Sequence, residues 1–216
     1  MKLVIFDIDG TLANTSNVDD LCFIPTLREH FGRSDFDTDW RNYPHVSDSG
    51  ILDSLSRQFL GRPPTKDESS AFENRFVARL KARPASDFQA LQGADAMLAH
   101  LRAIEGIELA IATGCWLASA EHKLQQAGIE FDGIPIGTAS DAIARVDILQ
   151  VARRKAGAAQ EIIYLGDAVW DVHATKKLGW RMIGIGERID ELIPHGIEHA
   201  FADYSDPDRI LDIITA

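Results

Sequence analysis

Short apolar runs separated by longer amphipathic stretches set the rhythm of this chain. Runs at residues 3–6, 107–112, 133–136, 162–165 and 181–185, with a weaker one at 200–201, read as strands. They are apolar with little alternation, as strands of a parallel sheet buried on both faces should be. Between them, apolar positions at helical spacing predict helices over 93–104, 117–127, 147–156, 172–178 and 206–214. Gly128 and Gly179 stand where two of these helices should stop. Strand alternating with helix predicts an α/β fold, a Rossmann-like parallel sheet with helices on both faces.

This rhythm breaks between residues 15 and 90, where no parallel strand is apparent. Helical patterns cover 18–31, 49–60 and 68–83, the last with Phe72, Phe76 and Leu80 near helical spacing. Gly61-Arg62-Pro63-Pro64 and Arg83-Pro84 punctuate the segment. A single crossover between strands rarely needs so much chain. The expected organisation is therefore a sheet-bearing core of residues 1–14 and 91–216, interrupted by a helical insertion of residues 15–90.

Composition narrows the function classes. Apolar residues make up 45% of the 216 and charged residues 25%, the balance of an ordinary soluble domain. The net charge of −11 argues against nucleic acid or an anionic membrane as partner. A phosphorylated small molecule stays open, because a bound cation and a few donors set the local field. Cys22 and Cys115 form no disulfide framework, no secretory pattern precedes the first strand, and no apolar stretch has the length of a membrane span. The expectation is a cytoplasmic monomer or homodimer.

Three strand ends carry the chemistry. The first run delivers Asp7 and Asp9, followed by Gly10 and Thr11. Ligand chemistry in open α/β sheets gathers beyond the carboxyl ends of strands. Two carboxylates this close repel each other unless a cation or proton is present, so a purely structural role would be costly. The second run ends in Thr113-Gly114 before a helix whose free N–H groups and positive dipole end suit a phosphate. Thr113 would donate its hydroxyl and Gly114 its amide. The third ends in Gly166-Asp167, with Asp171 four residues on. An octahedral Mg²⁺ site takes one or two carboxylates together with substrate oxygen and water, and Asp7 with Asp167 fit that count.

Phe6-Asp7-Ile8-Asp9-Gly10-Thr11-Leu12 resembles the first motif of the haloacid dehalogenase superfamily in its phosphatase form. That resemblance implies Asp7 as nucleophile, Asp9 as general acid and base, and an aspartyl-phosphate intermediate. It adds the Asp9 main-chain carbonyl to Asp7 and Asp167 as ligands of Mg²⁺, and gives Asp171 either a metal-bound water or the site's cationic residue. The family usually places a lysine before the helix that follows the third strand. Here Arg145 stands in that place, and its planar fork suits a phosphoryl group. Lys123, Lys155 and Lys176 compete for this role but read as exposed helix positions.

The activity implied is Mg²⁺-dependent hydrolysis of a small phosphorylated metabolite. A phosphomutase resembles a phosphatase at every one of these motifs, and a silent binding protein is the alternative from another class. Asp9 and Asp167 argue against a dehalogenase. A phosphonoacetaldehyde-type hydrolase would need a Schiff-base lysine in the insertion, where only Lys66 and Lys81 stand. The insertion itself is similar to the family's small helical cap, where specificity resides. Arg41, Tyr43 and His45, in the polar and aromatic stretch of residues 40–50, are expected to contact the leaving group. Ser47 or Ser49 would cap the helix that follows.

Overall fold

The computed structural model describes residues 1–216. Strand β1 (Lys2–Phe6) lies inside a six-stranded parallel sheet in the order β5-β4-β1-β6-β7-β8. Its partners are β4 (Ile107–Ala112) on one side and β6 (Glu161–Gly166) on the other; β5 (Ile136–Gly137), β7 (Arg181–Ile185) and β8 (Ala200–Phe201) extend the sheet outward. Each face of the sheet has its own apolar layer, as alternate side chains demand. Val4, Phe6, Leu109, Ile111, Ile163 and Leu165 pack with α4 (Ala94–Arg102), α5 (Leu117–Ala127) and α9 (Pro207–Thr215). Leu3, Ile5, Ala110, Ala112, Ile162 and Tyr164 pack with α6 (Arg145–Ala156) and α7 (Val169–Leu178).

Several boundaries move from their predicted places; α7, for one, begins at Val169, three residues early. The run at 133–136 pairs only from residue 136, because Gly133 turns the chain at a φ of 77° and the Ile134 N–H is spent on Phe131 O. Pro135 has no N–H to give the ladder and contributes only its carbonyl, to Ile111 N. Helix α6 begins at Arg145, two residues early, so the arginine sits in its first turn.

The insertion leaves and rejoins the core through a two-stranded antiparallel stem, β2 (Ala13–Asn14) with β3 (Gln89–Ala90). Between them the regular elements are helical: α1 (Ser16–Phe31), α2 (Asp48–Leu60) and α3 (Lys66–Lys81), with short turns at Trp40–Asn42 and Ala85–Asp87. Ser47 caps α2 through Gly50 N, and Thr65 with Glu68 forms a capping box on α3. Phe23 centres an aromatic cluster, with ring centroids 5.9 Å from Trp40, 5.4 Å from Phe72, 5.2 Å from Phe76 and 6.2 Å from Trp116.

Trp116 belongs to the core, so the insertion's apolar centre is completed by a side chain from the other half of the molecule. Hydrogen bonds seal the junction. Asp48 N donates to Gly114 O (2.8 Å), Ser47 Oγ to Ile143 O (2.6 Å) and Ser49 Oγ to Ala139 O (2.8 Å). Trp116 donates its N–H to Asp48 Oδ2 (2.9 Å) and its Nε1–H to Ser49 Oγ (2.7 Å). No helix is long and apolar enough to cross a membrane.

Phe76 is fully buried and packs against both Phe23 and Trp116. Phe76→Ala should lower stability by about 3–5 kcal/mol in urea unfolding, the usual cost of emptying an aromatic site in a packed core. A loss below ~1 kcal/mol would contradict this reading of the cluster.

Candidate active site

The chain runs from β1 outward through β4 and β5, then returns to the other side of β1 for β6, β7 and β8. Beyond the carboxyl end of β1 the sequence order reverses, opening the crevice where such sheets hold ligands. Asp7, Thr113 and Asp167 immediately follow the three adjacent strands β1, β4 and β6. Gly10 turns the chain there at a φ of 78°, and a β-carbon on it would overlap the Asp167 carboxylate. No larger residue fits.

Asp7 is 4% exposed. Its Oδ2 accepts a hydrogen bond from Arg145 Nη2 at 2.7 Å, while its Oδ1 is buried without a partner. Burial pushes the Asp7 carboxyl well above its ordinary value, against the pull of Arg145. The same guanidinium donates through Nε to Asp171 Oδ1 at 2.7 Å. Asp171 also accepts from Tyr164 Oη (3.1 Å) and Ala168 N (3.3 Å), which commits it to holding Arg145. Burial works against the charge on Arg145, but Asp171 and Asp7 outweigh it and keep the guanidinium firmly protonated. Of the two roles open to Asp171, the contacts match the cation's anchor.

Asp167 is equally buried, and its Oδ2 accepts from Arg188 Nη2 at 2.6 Å. Burial raises its carboxyl to about 6, with Arg188 opposing. Carboxylate oxygens of Asp7, Asp167 and Asp171 lie within 4.8 Å of one another. An all-oxygen set with an orphaned Asp7 Oδ1 fits a hard divalent cation. Thr113 is buried and its Oγ1 accepts from Cys115 N at 3.2 Å. The Gly114 N–H has no partner in the chain. A β-carbon at Gly114 would lie 3.1 Å from Val46 O and 3.2 Å from Arg145 Nη1, so glycine lets the insertion and the arginine close in together.

Asp9 turns away from this group, which leaves its main-chain carbonyl as what it could offer a metal. Its side chain accepts from Thr15 Oγ1 (2.5 Å), Cys115 Sγ (2.9 Å) and Lys123 Nζ (2.8 and 3.0 Å). Burial acts to raise the Asp9 carboxyl, but Lys123 and these hydrogen bonds bring it below the ordinary value.

Lys123 corrects the sequence expectation. Rather than an exposed helix position, it is 0% exposed, on the α5 stripe shared with Ser119, Ala120 and Leu124. Its ammonium pairs with both Asp9 and Asp19, which offsets the cost of burying the charge. Lys155 and Lys176 are exposed, as expected.

These groups open onto a cavity of 140 Å³. Its catalytic side presents Asp7, Asp9, Thr113, Gly114, Arg145 and Asp167. Its far side comes from the insertion and includes residues the sequence reading passed over: Asp19, Asp20, Phe23, Trp40 and Asp48. Ser16, Asp19, Asp20 and Phe23 occupy i, i+3, i+4 and i+7 of α1, one face of a helix, and that spacing was the available signal. Arg188, on the loop after β7, and Trp170, in the first turn of α7, also line the cavity.

Arg41, Tyr43 and His45 are not among the groups lining this cavity; they border an adjoining outer groove of 880 Å³. Arg41 is exposed and paired with Asp39 (2.8 Å), and Tyr43 Oη donates to Asp37 O (2.7 Å). Trp40, from the same turn, reaches the cavity in their stead.

Comparison with known proteins agrees with this architecture. The family model described as haloacid dehalogenase-like hydrolase matches residues 1–179. A hydrolase from Pseudomonas syringae superposes with a TM-score of 0.77 at 25% identity, over 99% of each chain. CbbY from Rhodobacter sphaeroides, solved with phosphate and separately with xylulose 1,5-bisphosphate, gives 0.70 at 21% identity over 94% of this chain and 95% of its own. A family IA hydrolase from Entamoeba histolytica gives 0.72 at 18% identity over the whole of both chains. The comparison with curated proteins returns no match. With carboxylates at the ends of adjacent strands and the family model spanning most of its length, the chain belongs to the haloacid dehalogenase-like hydrolases.

Proposed function

We propose that this protein is a Mg²⁺-dependent phosphatase that cleaves a small phosphorylated metabolite through an aspartyl-phosphate. The observation that carries the reading is Asp7. One of its oxygens is fixed by Arg145, the other is buried and unpartnered, and Asp7 lines a cavity together with Thr113, Gly114 and Arg145. Members of this family generally use a divalent metal, and Asp7 Oδ1, Asp167 and the Asp9 carbonyl would hold it here. When bound, it offsets the repulsion between a phosphate dianion and the carboxylates around it.

The chain's own groups supply the remaining steps. Asp7 attacks phosphorus, the bond to the leaving oxygen breaks, and the resulting aspartyl-phosphate is hydrolysed by water. Arg145, Thr113 and the Gly114 amide face the phosphoryl oxygens, where developing charge is best held by groups already oriented. Lys123 and Cys115 keep Asp9 ionised in the free enzyme, the form that takes a proton from the attacking water. A bound dianion raises the proton affinity of Asp9, so that it takes a proton from solvent as the substrate binds and gives it to the departing alkoxide; ionised again, it then accepts the proton of the attacking water. The Lys123 amine is fully buried and ion-paired, which rules it out as a Schiff-base nucleophile.

Hydrolysis of p-nitrophenyl phosphate should stop in excess EDTA and return with Mg²⁺. Asp167→Ala should raise the Mg²⁺ concentration needed for half-maximal rate; full activity in EDTA would refute the metal dependence.

Arg145→Ala should lower turnover by roughly a hundredfold or more, the scale seen when one oriented donor is removed from a charged transition state. Arg145→Lys should restore part of the loss, since it returns charge without the fork that now spans Asp7 and Asp171. Near-normal turnover in Arg145→Ala would move the role to another cation.

A further inference from the structure

Two arginines hold the carboxylates of the catalytic side, and they hold them differently. Arg145 is 7% exposed and fixed between Asp7 and Asp171. Arg188 donates through Nη2 to Asp167 Oδ2 at 2.6 Å, yet its side chain is 42% exposed. It stands on the loop after β7, just beyond Gly186, where the chain turns at a φ of 114°. Its Cζ lies 5.5 Å from the centroid of the Trp170 ring, whose face offers the guanidinium a second resting place.

Asp167 has no such freedom. A β-carbon on Gly10 would overlap its carboxylate, and one on Gly186 would lie 3.2 Å from its Cβ, so backbone packs on it from two sides. Where the pair separates, Arg188 is the partner that moves. It has room to do so, because it borders three spaces: the catalytic cavity, an outer pocket of 430 Å³ shared with Trp40 and Glu191, and a groove of 420 Å³ beside Asn14 and Gln89.

Charge gives that movement a purpose. Asp7, Asp167 and Asp171 gather three carboxylates at one place, where Arg145 offsets one charge and Arg188 a second. Arg188 and a divalent ion would both draw on Asp167, so a divalent ion finds two uncompensated charges there only once Arg188 has let go. A phosphoryl group brings negative charge of its own into the cavity that Arg188 lines with Thr113 and Gly114. Arg145 stays with its two carboxylates and Lys123 with Asp9 and Asp19, which leaves Arg188 as the lining cation able to turn toward it.

We infer that Arg188 exchanges Asp167 for the substrate's phosphoryl group, so that metal and substrate each strengthen the binding of the other through this one side chain. The inference rests on the metal and phosphate reading above and adds a residue to it. In the free enzyme Arg188 competes for Asp167 and weakens the hold on the metal; a bound phosphoryl group draws the guanidinium away and removes the competitor.

The test measures metal affinity, with Mn²⁺ as the probe because it takes the same oxygen ligands as Mg²⁺ and its free form can be counted by EPR. Without phosphate, Arg188→Gln should bind Mn²⁺ about fivefold more tightly than wild type, the scale of a partly exposed ion pair that no longer has to break. Saturating inorganic phosphate should tighten Mn²⁺ binding in both, but by about fivefold less in the variant, where the competitor is already gone. Arg188→Lys, which keeps a cation on the loop, should show smaller changes of the same sign. A dissociation constant does not depend on how much of a sample folds. Equal or weaker Mn²⁺ binding by Arg188→Gln, or a phosphate effect of the same size in both proteins, would overturn this inference alone. A wild-type Mn²⁺ affinity that Asp167→Ala leaves unchanged would overturn the metal site itself, and this inference with it.

Discussion

Arg145 lies between Asp7 and Asp171, 2.7 Å from each, and the rest of the site is built around that pair of contacts. Three buried carboxylates crowd the ends of β1 and β6, an arrangement that burial and mutual repulsion both oppose. A guanidinium resolves the conflict because its planar fork reaches two carboxylates at once and cannot lose its proton. A lysine could meet the same charge requirement but would not fix two oxygens in one plane. The arrangement also fixes the carboxylate's orientation: with Oδ2 held by Arg145, Oδ1 is the oxygen left without a partner.

A second buried cation organises the other wall. Lys123 ties Asp9, on the loop after β1, to Asp19, on the first turn of α1. One ion-pair cluster thus links the sheet to the insertion beneath the cavity, while Trp116 and the hydrogen bonds of residues 47–49 link them beside it. Loss of either partner would strand a charge in the interior, which is far costlier than the pair's own contribution to stability. The insertion is therefore docked by polar groups that have few other partners, and the shape of the cavity depends on that docking.

Much of this was legible in the sequence. Apolar runs ending in Asp7, Thr113 and Asp167 located the sheet's reactive edge, since a buried strand has to release its polar residues where it meets solvent or ligand. Arg145 was found by its place before a helix, and the structure carries it to Asp7. Lys123 was misread because its helix is amphipathic and a lysine on such a helix is ordinarily solvated. Its burial follows from two aspartates distant in sequence, which no local pattern displays. The stripe of Ser16, Asp19, Asp20 and Phe23 resembles a solvent face until a cavity is placed before it. Arg188 lies on a loop whose course local periodicity does not fix. Arg41, Tyr43 and His45 come from the right segment, but the turn at Trp40–Asn42 directs Trp40 to the cavity and leaves those three at the outer groove.

The central claim is that Asp7 takes the phosphoryl group. Enzyme mixed with Mg²⁺ and an excess of an aryl phosphate can be quenched in acid, digested and its peptides weighed. The account predicts an added phosphoryl group on the peptide containing Asp7, lost in alkali and absent from folded Asp7→Asn. Steady turnover by Asp7→Asn, with reversion to aspartate excluded by mass, or a phosphoryl group trapped on another residue, would contradict it.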